Sequence, residues 1–204
     1  MRRVPRVSPV PRDLDEAVLR SILDQPAVRN SAARNVYLTL AHNPPVLDAW
    51  WGFLSNLLRA DLPPRRRELL ILRASLLWDC DYQWRHHVRV GARAGLGEDE
   101  LLHVAHGDCG HWDAVERALL RSVDELYESS AISDRTWAVL ADAHTVPELL
   151  EIPLIVGQYA MLAFLVNGVQ IACDGEDAGF TSYRHVVTTW RSRPTEDPDR
   201  EACS

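Results

Sequence analysis

Residues 62–87 read LPPRRRELLILRASLLWDCDYQWRHH, and the fold and the chemistry both turn on how this stretch is arranged. Pro63 and Pro64 stand where first-turn prolines are tolerated, and they lead into a helix over Arg65–Leu77 carrying Leu69, Leu70, Leu72 and Leu76. Asp79 can cap a following helix that runs from Cys80 to about Ala94, with Gly95 as its left-handed terminator. Cys80 and His87 lie seven residues apart. At roughly 100° per residue that is close to two full turns, so both project from one helix face. Glu68 sits on the preceding helix, and antiparallel packing would return its carboxylate toward His87. A carboxylate orienting an imidazole beside a thiol makes a workable proton relay. Tyr82 and Trp84 would supply an apolar wall with polar tips. The helix start favours a thiolate at Cys80, and Asp79 and Asp81 oppose it.

Each of these residues also has a plainer reading. A lone cysteine at a helix start serves as a small buried hydrophobe. One histidine among eight can be surface or core. Glu68, following Arg65, Arg66 and Arg67, can belong to a solvated charged face.

Outward from this stretch, helical signals dominate and nothing reads as a hairpin. Helices are expected from Asp13 to about Leu23, from Ser31 to the Asn43-Pro44-Pro45 stop, and over Leu47–Leu58. Another begins after Gly97 with Glu98, Asp99 and Glu100, followed by a loop at 107–111. Further helices fall at about 112–128, 133–143 and 147–172, with Ser133 and Thr145 as caps and a terminal segment at 181–192. The fold class is all-α, in two helical halves divided near Gly107–Gly110 whose sequence repeat has decayed. The apolar run Ile152–Val166 is interrupted by Pro153, Gly157, Gln158 and Tyr159, and a buried helix fits it better than a bilayer span.

The 204 residues carry a formal charge of −7, with 47% hydrophobic and 25% charged residues, ordinary for a soluble globular chain. Residues 1–12 hold four arginines and no acid, and residues 193–204 are acidic and polar; both are expected as flexible tails around a domain at 13–192. The acidic body gives no support for nucleic-acid binding, and neither a membrane nor a nucleic-acid partner is expected. Four cysteines without a C-x-x-C pair, behind an N-terminus lacking an apolar leader core, suit a reducing cytoplasm. His103, His106, Cys109 and His111 cluster, but their spacing fits no standard zinc template and no metal is expected. No phosphate loop or nucleophile elbow is present, and no cofactor is expected.

The combination Pro-x-x-Arg-Glu-Leu-x-x-Leu-Arg, then Cys80-x-Tyr82-x-Trp84-x-x-His87, then Gly95-Leu-Gly-x-x-Glu100, resembles the core motif of the carboxymuconolactone decarboxylase family, within the alkylhydroperoxidase D-like (AhpD-like) superfamily. The resemblance is strongest over 62–105 and extends more loosely to 13–175. It implies an AhpD-like helical bundle and places Glu68, Cys80 and His87 on the family's relay positions. The peroxidase branch carries a second cysteine three residues after the first, where this chain has Gln83. Without that thiol an intramolecular disulfide cycle has no second step. The pattern looks more like the decarboxylase branch, acting on a small carboxylated or enolisable molecule, with Tyr82, Trp84 and Tyr159 at the substrate pocket. The resemblance also implies a homo-oligomer, a trimer or hexamer. His86, about 100° round from His87, is expected at the surface or an interface. The alternatives are a single-cysteine peroxidase served by an external thiol, and a non-catalytic helical scaffold whose cavity beside Cys80 is plugged by Trp78, Trp84 or a C-terminal aromatic.

Overall fold

The computed structural model describes residues 4–10, 24, 34–59, 61–106 and 111–174. Among these, eight helices and no strand occur: α1 (Arg34–Leu40), α2 (Pro44–Leu57), α3 (Pro64–Leu77), α4 (Asp81–Arg93), α5 (Glu98–His106), α6 (Ala114–Ser129), α7 (Asp134–Ala143) and α8 (Val146–Val169). The all-α class read from the sequence is the observed one. The expected helix at Asp13–Leu23, the Ser31 start, the terminal segment at 181–192 and the acidic tail lie outside the described residues.

Local chemistry explains where the helices begin and end. The Asn43-Pro44-Pro45 stop is also a start: Asn43 is the N-cap of α2, its side chain accepting from Val46 N–H, and both prolines sit in the first turn. Ser133 caps α7 by accepting from Thr136 N–H. At α8, Thr145 and Glu148 form a reciprocal capping box, with the Glu148 carboxylate 2.7 Å from Thr145 N. The α3–α4 corner is a Schellman turn: Cys80 N–H reaches Ser75 O at 2.9 Å, Asp79 N–H reaches Leu76 O, and Asp79 adopts a φ of 52°. The same turn ends α4, where Gly95 at φ 91° sets Leu96 N–H on Gly91 O.

The described chain forms two compact units, each considered separately. They do not follow the division expected near Gly107–Gly110. One comprises α1, α2 and α8 from Met161 onward; the other comprises α3–α7 and α8 up to Ala160. The helices before and after residues 107–110, α5 and α6, pack on the same central helix α3.

In the first unit, Val10 is buried with Tyr37, Leu38, Leu47, Trp51 and Leu54, and its N–H bonds to Leu38 O. Arg6 N–H bonds to Val169 O, and its guanidinium to Gly168 O. Residues 4–10 are therefore an anchored strap rather than the free tail expected, because a buried valine and backbone hydrogen bonds outweigh the compositional bias of the segment.

In the second unit α3 is buried on every side, from Leu69 through Leu77, against α4, α6 and α5. Full burial of each leucine contributes about 2 kcal/mol. Gly91 lets α4 approach, since a β-carbon there would stand 3.0 Å from Leu96 Cδ1 and 3.3 Å from Leu72 Cδ1. The arginine run at 65–67 is not a solvated face. Arg65 bonds to Glu100, Glu116 and Gly95 O, and Arg66 meets His144 at 3.3 Å. The hydrogen bond from Arg65 holds the Glu100 carboxyl down at about 2. Glu151 accepts from the N–H groups of Asp61 and Leu62, fixing the chain as it enters α3.

The apolar run at 152–166 is part of a 24-residue helix that continues through Pro153, close to the helix expected at 147–172. By length and composition α8 could cross a membrane, but 61% of its most apolar window is buried within the protein, as in a core helix.

A β-carbon at Gly95 would meet nothing, so replacing it tests backbone conformation alone. Gly95→Ala is expected to lower the unfolding free energy by about 1–2 kcal/mol, the cost of a left-handed alanine. Urea denaturation checks it, and an unchanged midpoint would contradict the Schellman assignment.

Candidate active site

Glu68 enters the interior one turn into α3 and is 1% exposed, which removes its reading as part of a charged surface. Burying a carboxylate is costly unless it is paired. The pairing comes from α4, where His87 Nδ1 lies 2.7 Å from Glu68 Oε2. On the other oxygen, Arg67 Nε stands 3.8 Å away. A carboxylate at Nδ1 accepts that nitrogen's proton, so neutral His87 carries its lone pair on Nε2. Nε2 takes no hydrogen-bond partner among the described residues.

Cys80 is fully buried and forms the N-cap of α4, one position ahead of the first-turn place expected for it. Its carbonyl already accepts from Trp84 N–H. Cys80 thus precedes the helix that carries His87, with non-helical backbone angles of φ −105° and ψ 83°.

The three residues assigned to the pocket wall separate. Tyr159, on α8, sets its ring edge-on to the His87 imidazole, with centroids 4.9 Å apart and planes at 89°. Trp84 belongs instead to the hydrophobic core, with Leu69, Leu72, Leu76 and Val88. Tyr82 is buried five residues before His87, which turns it roughly 140° away around the helix. Trp78, the other candidate plug, meets Tyr127 of α6 edge-on at 5.0 Å.

Two polar residues beside this group carried little weight in the sequence. Gln83, read there only as a missing cysteine, is 2% exposed and donates from Nε2 to Tyr159 O at 2.9 Å. Its Oε1 is buried with no partner among the described residues. Gln158, beside Tyr159, is 3% exposed with neither end of its amide bonded. The signal for Gln83 was its position one turn before His87, which puts the two on neighbouring sites of one face.

His86, expected at the surface or an interface, is half-buried; its ring lies edge-on to His87 at 5.0 Å, and its Nδ1 is cut off from water without a partner among the described residues. The expected histidine–cysteine cluster is only partly described. His103 and His111 stack at 4.2 Å, and His111 Nε2 stands 3.8 Å from Glu100 Oε1. Cys109 and the His106 side chain lie outside the described residues.

Residues 44–125, enclosing the Glu68, Cys80 and His87 positions, match the model of the carboxymuconolactone decarboxylase family. Over that stretch the chain is similar to the carboxymuconolactone decarboxylase family. Solved structures share its all-helical fold. A protein of unknown function from Agrobacterium tumefaciens, described as a putative antioxidant defence protein AhpD, superposes with a TM-score of 0.62 at 21% identity, covering 67% of this chain and 96% of its own. An uncharacterised peroxidase-related protein with an alkylhydroperoxidase AhpD core, from Ralstonia eutropha, gives 0.62 at 19% identity, with coverages of 68% and 76%. The debrominase Bmp8, in complex with 2,3,4-tribromopyrrole, gives 0.67 at 16% identity, with coverages of 90% and 96%. At these identities the likeness establishes the fold. No curated protein sequence matches the chain.

Desolvation in this AhpD-like core, reinforced by the charges of His87, Arg89 and Arg93, holds the His86 pKa down at about 3, against an ordinary value of 6.5. Between those values the unfolded chain binds a proton that the folded protein refuses. This contribution to stability is therefore complete above about pH 6.5 and is lost as pH falls toward about 3. His86→Phe should lose less thermal stability than the parent on acidification from about pH 7 to about pH 4. Equal losses in the two proteins would show that His86 does not titrate in this way.

Proposed function

We propose that this chain is an enzyme performing acid–base chemistry, a decarboxylation, lactone isomerisation or related lyase step, on a small carboxylated or enolisable molecule in the cytoplasm. The observation that carries the reading is the 2.7 Å contact between Glu68 and His87 inside the second unit. It spends Nδ1 on the carboxylate and leaves Nε2 as the nitrogen that takes a proton from an acidic carbon or returns one. Glu68 holds the ring and stabilises the imidazolium that forms. Cys80, at the N-cap of α4, is the hydrogen-bonding partner, and Tyr159 walls the imidazole.

The cysteine at the N-cap of α4, Cys80, favours one second reading. There Cys80 attacks a peroxide, giving a sulfenic acid and an alcohol. Two equivalents of an external thiol then return the cysteine, with a disulfide and water as products. His87→Ala and Glu68→Gln are expected to lower kcat by about 10²–10⁴-fold while the circular dichroism spectrum is retained. Turnover is followed as carbon dioxide release or as solvent deuterium entering an enolisable carbon. Full activity in both variants would remove the acid–base reading. A sulfenate trapped selectively at Cys80 after peroxide treatment, with activity lost in Cys80→Ser alone, would favour the redox one.

We also propose that copies of the chain associate through α8. Its exposed residues Leu150, Leu154, Gly157, Met161, Phe164 and Gly168 alternate at spacings of four and three and include no charge. That spacing matches the seam of a left-handed helix pair, and a second copy presents the same seam. Phe164→Glu is expected to reduce the mass measured by light scattering to that of one chain. An unchanged mass would place the contact elsewhere.

A further inference from the structure

We propose that Gln83 is a specificity-determining residue of the Glu68–His87 site, its Oε1 accepting a hydrogen bond from an O–H or N–H group of the substrate. The substrate class is then enols, phenols and N–H heterocycles, small molecules with a donor attached to an unsaturated framework. This deepens the acid–base reading of His87 and rests on it.

Gln83 is the i−4 neighbour of His87 on α4, so their β-carbons stand about 5–6 Å apart. The Gln83 amide reaches the Tyr159 backbone, and the ring of Tyr159 lies against His87. Those two contacts confine the carboxamide beside the imidazole. Its orientation is fixed by chemistry: a carbonyl oxygen accepts only from N–H, so Nε2 faces Tyr159 O and Oε1 is the end left over. That oxygen is buried without a partner among the described residues. A buried acceptor left unmatched is costly, and a ligand supplying a donor recovers that cost.

Two acceptors, His87 Nε2 and Gln83 Oε1, thus lie on residues one turn apart on α4. Such a pair receives a donor-bearing ligand and repels a group that offers only lone pairs. A site built this way discriminates strongly against the analogue that lacks the donor.

The test uses 4-bromophenol and its methyl ether, 4-bromoanisole, as matched probes on the full chain. Dissociation constants are read from ¹H–¹⁵N spectra that include the glutamine side-chain and histidine ring signals. The phenol is expected to bind at least about 10-fold tighter than the ether, with the Gln83 amide signal shifting on binding. Gln83→Met is expected to bring that ratio close to one without lowering the thermal midpoint, since it removes the orphaned acceptor. Gln83→Leu serves as a second variant should the methionine fail to fold. A ratio unchanged by these substitutions, or a parent protein that binds neither probe or both equally, would overturn the proposal. The acid–base reading fails separately. A Gln83-dependent ratio without any response at the His87 ring sinks that reading and leaves this one, and a His87 response without the ratio does the reverse.

Discussion

Helix α3 is buried on all sides, yet it carries a glutamate and an arginine in its interior turns. A buried charge is tolerated only with a partner, so α3 dictates what its neighbours must bring to it. Arg73 draws a bidentate contact from Asp124 on α6 and the carbonyl of Val104 on α5. Glu68 draws His87 from α4. These contacts hold three helices in rotation and register around one, and the second of them is the chemical group on which the proposed reaction depends.

The packing around α3 is set by turns as much as by apolar area. The Schellman corner at Asp79 reverses the chain within a few residues, and it delivers Cys80 as the N-cap of α4 rather than as a residue inside its first turn. A second corner at Gly95 returns α5 to the same side, where Arg65 ties its start to α6 through Glu100 and Glu116. Gly91 removes the side chain that would otherwise hold α4 away from Leu72. The Glu68–His87 distance is thus a consequence of two left-handed residues and one missing β-carbon.

The polar groups the fold does not satisfy are as informative as those it does. Gln83 Oε1 and both ends of the Gln158 amide are buried without a partner among the described residues, close in the chain to His87 and Tyr159, while Arg73 of the same unit is matched by Asp124.

The sequence by itself determined the helical class, the two helices at 64–77 and 81–93, and the glycine stop at Gly95. All of these follow from local rules: a 3.6-residue period, capping side chains and the freedom of glycine. It also singled out Glu68 as the carboxylate within reach of His87. Only the tertiary structure decided which side of α4 faces the core. It placed Trp84 there, left His86 half-buried against His87, and made a strap of residues 4–10. It also grouped α5 and α6 on one central helix where the sequence suggested a boundary between them. Composition and periodicity describe one helix at a time. Which apolar or amide group meets which neighbour depends on contacts between residues far apart in the chain, and Gln83 became visible only when Tyr159 was brought beside it.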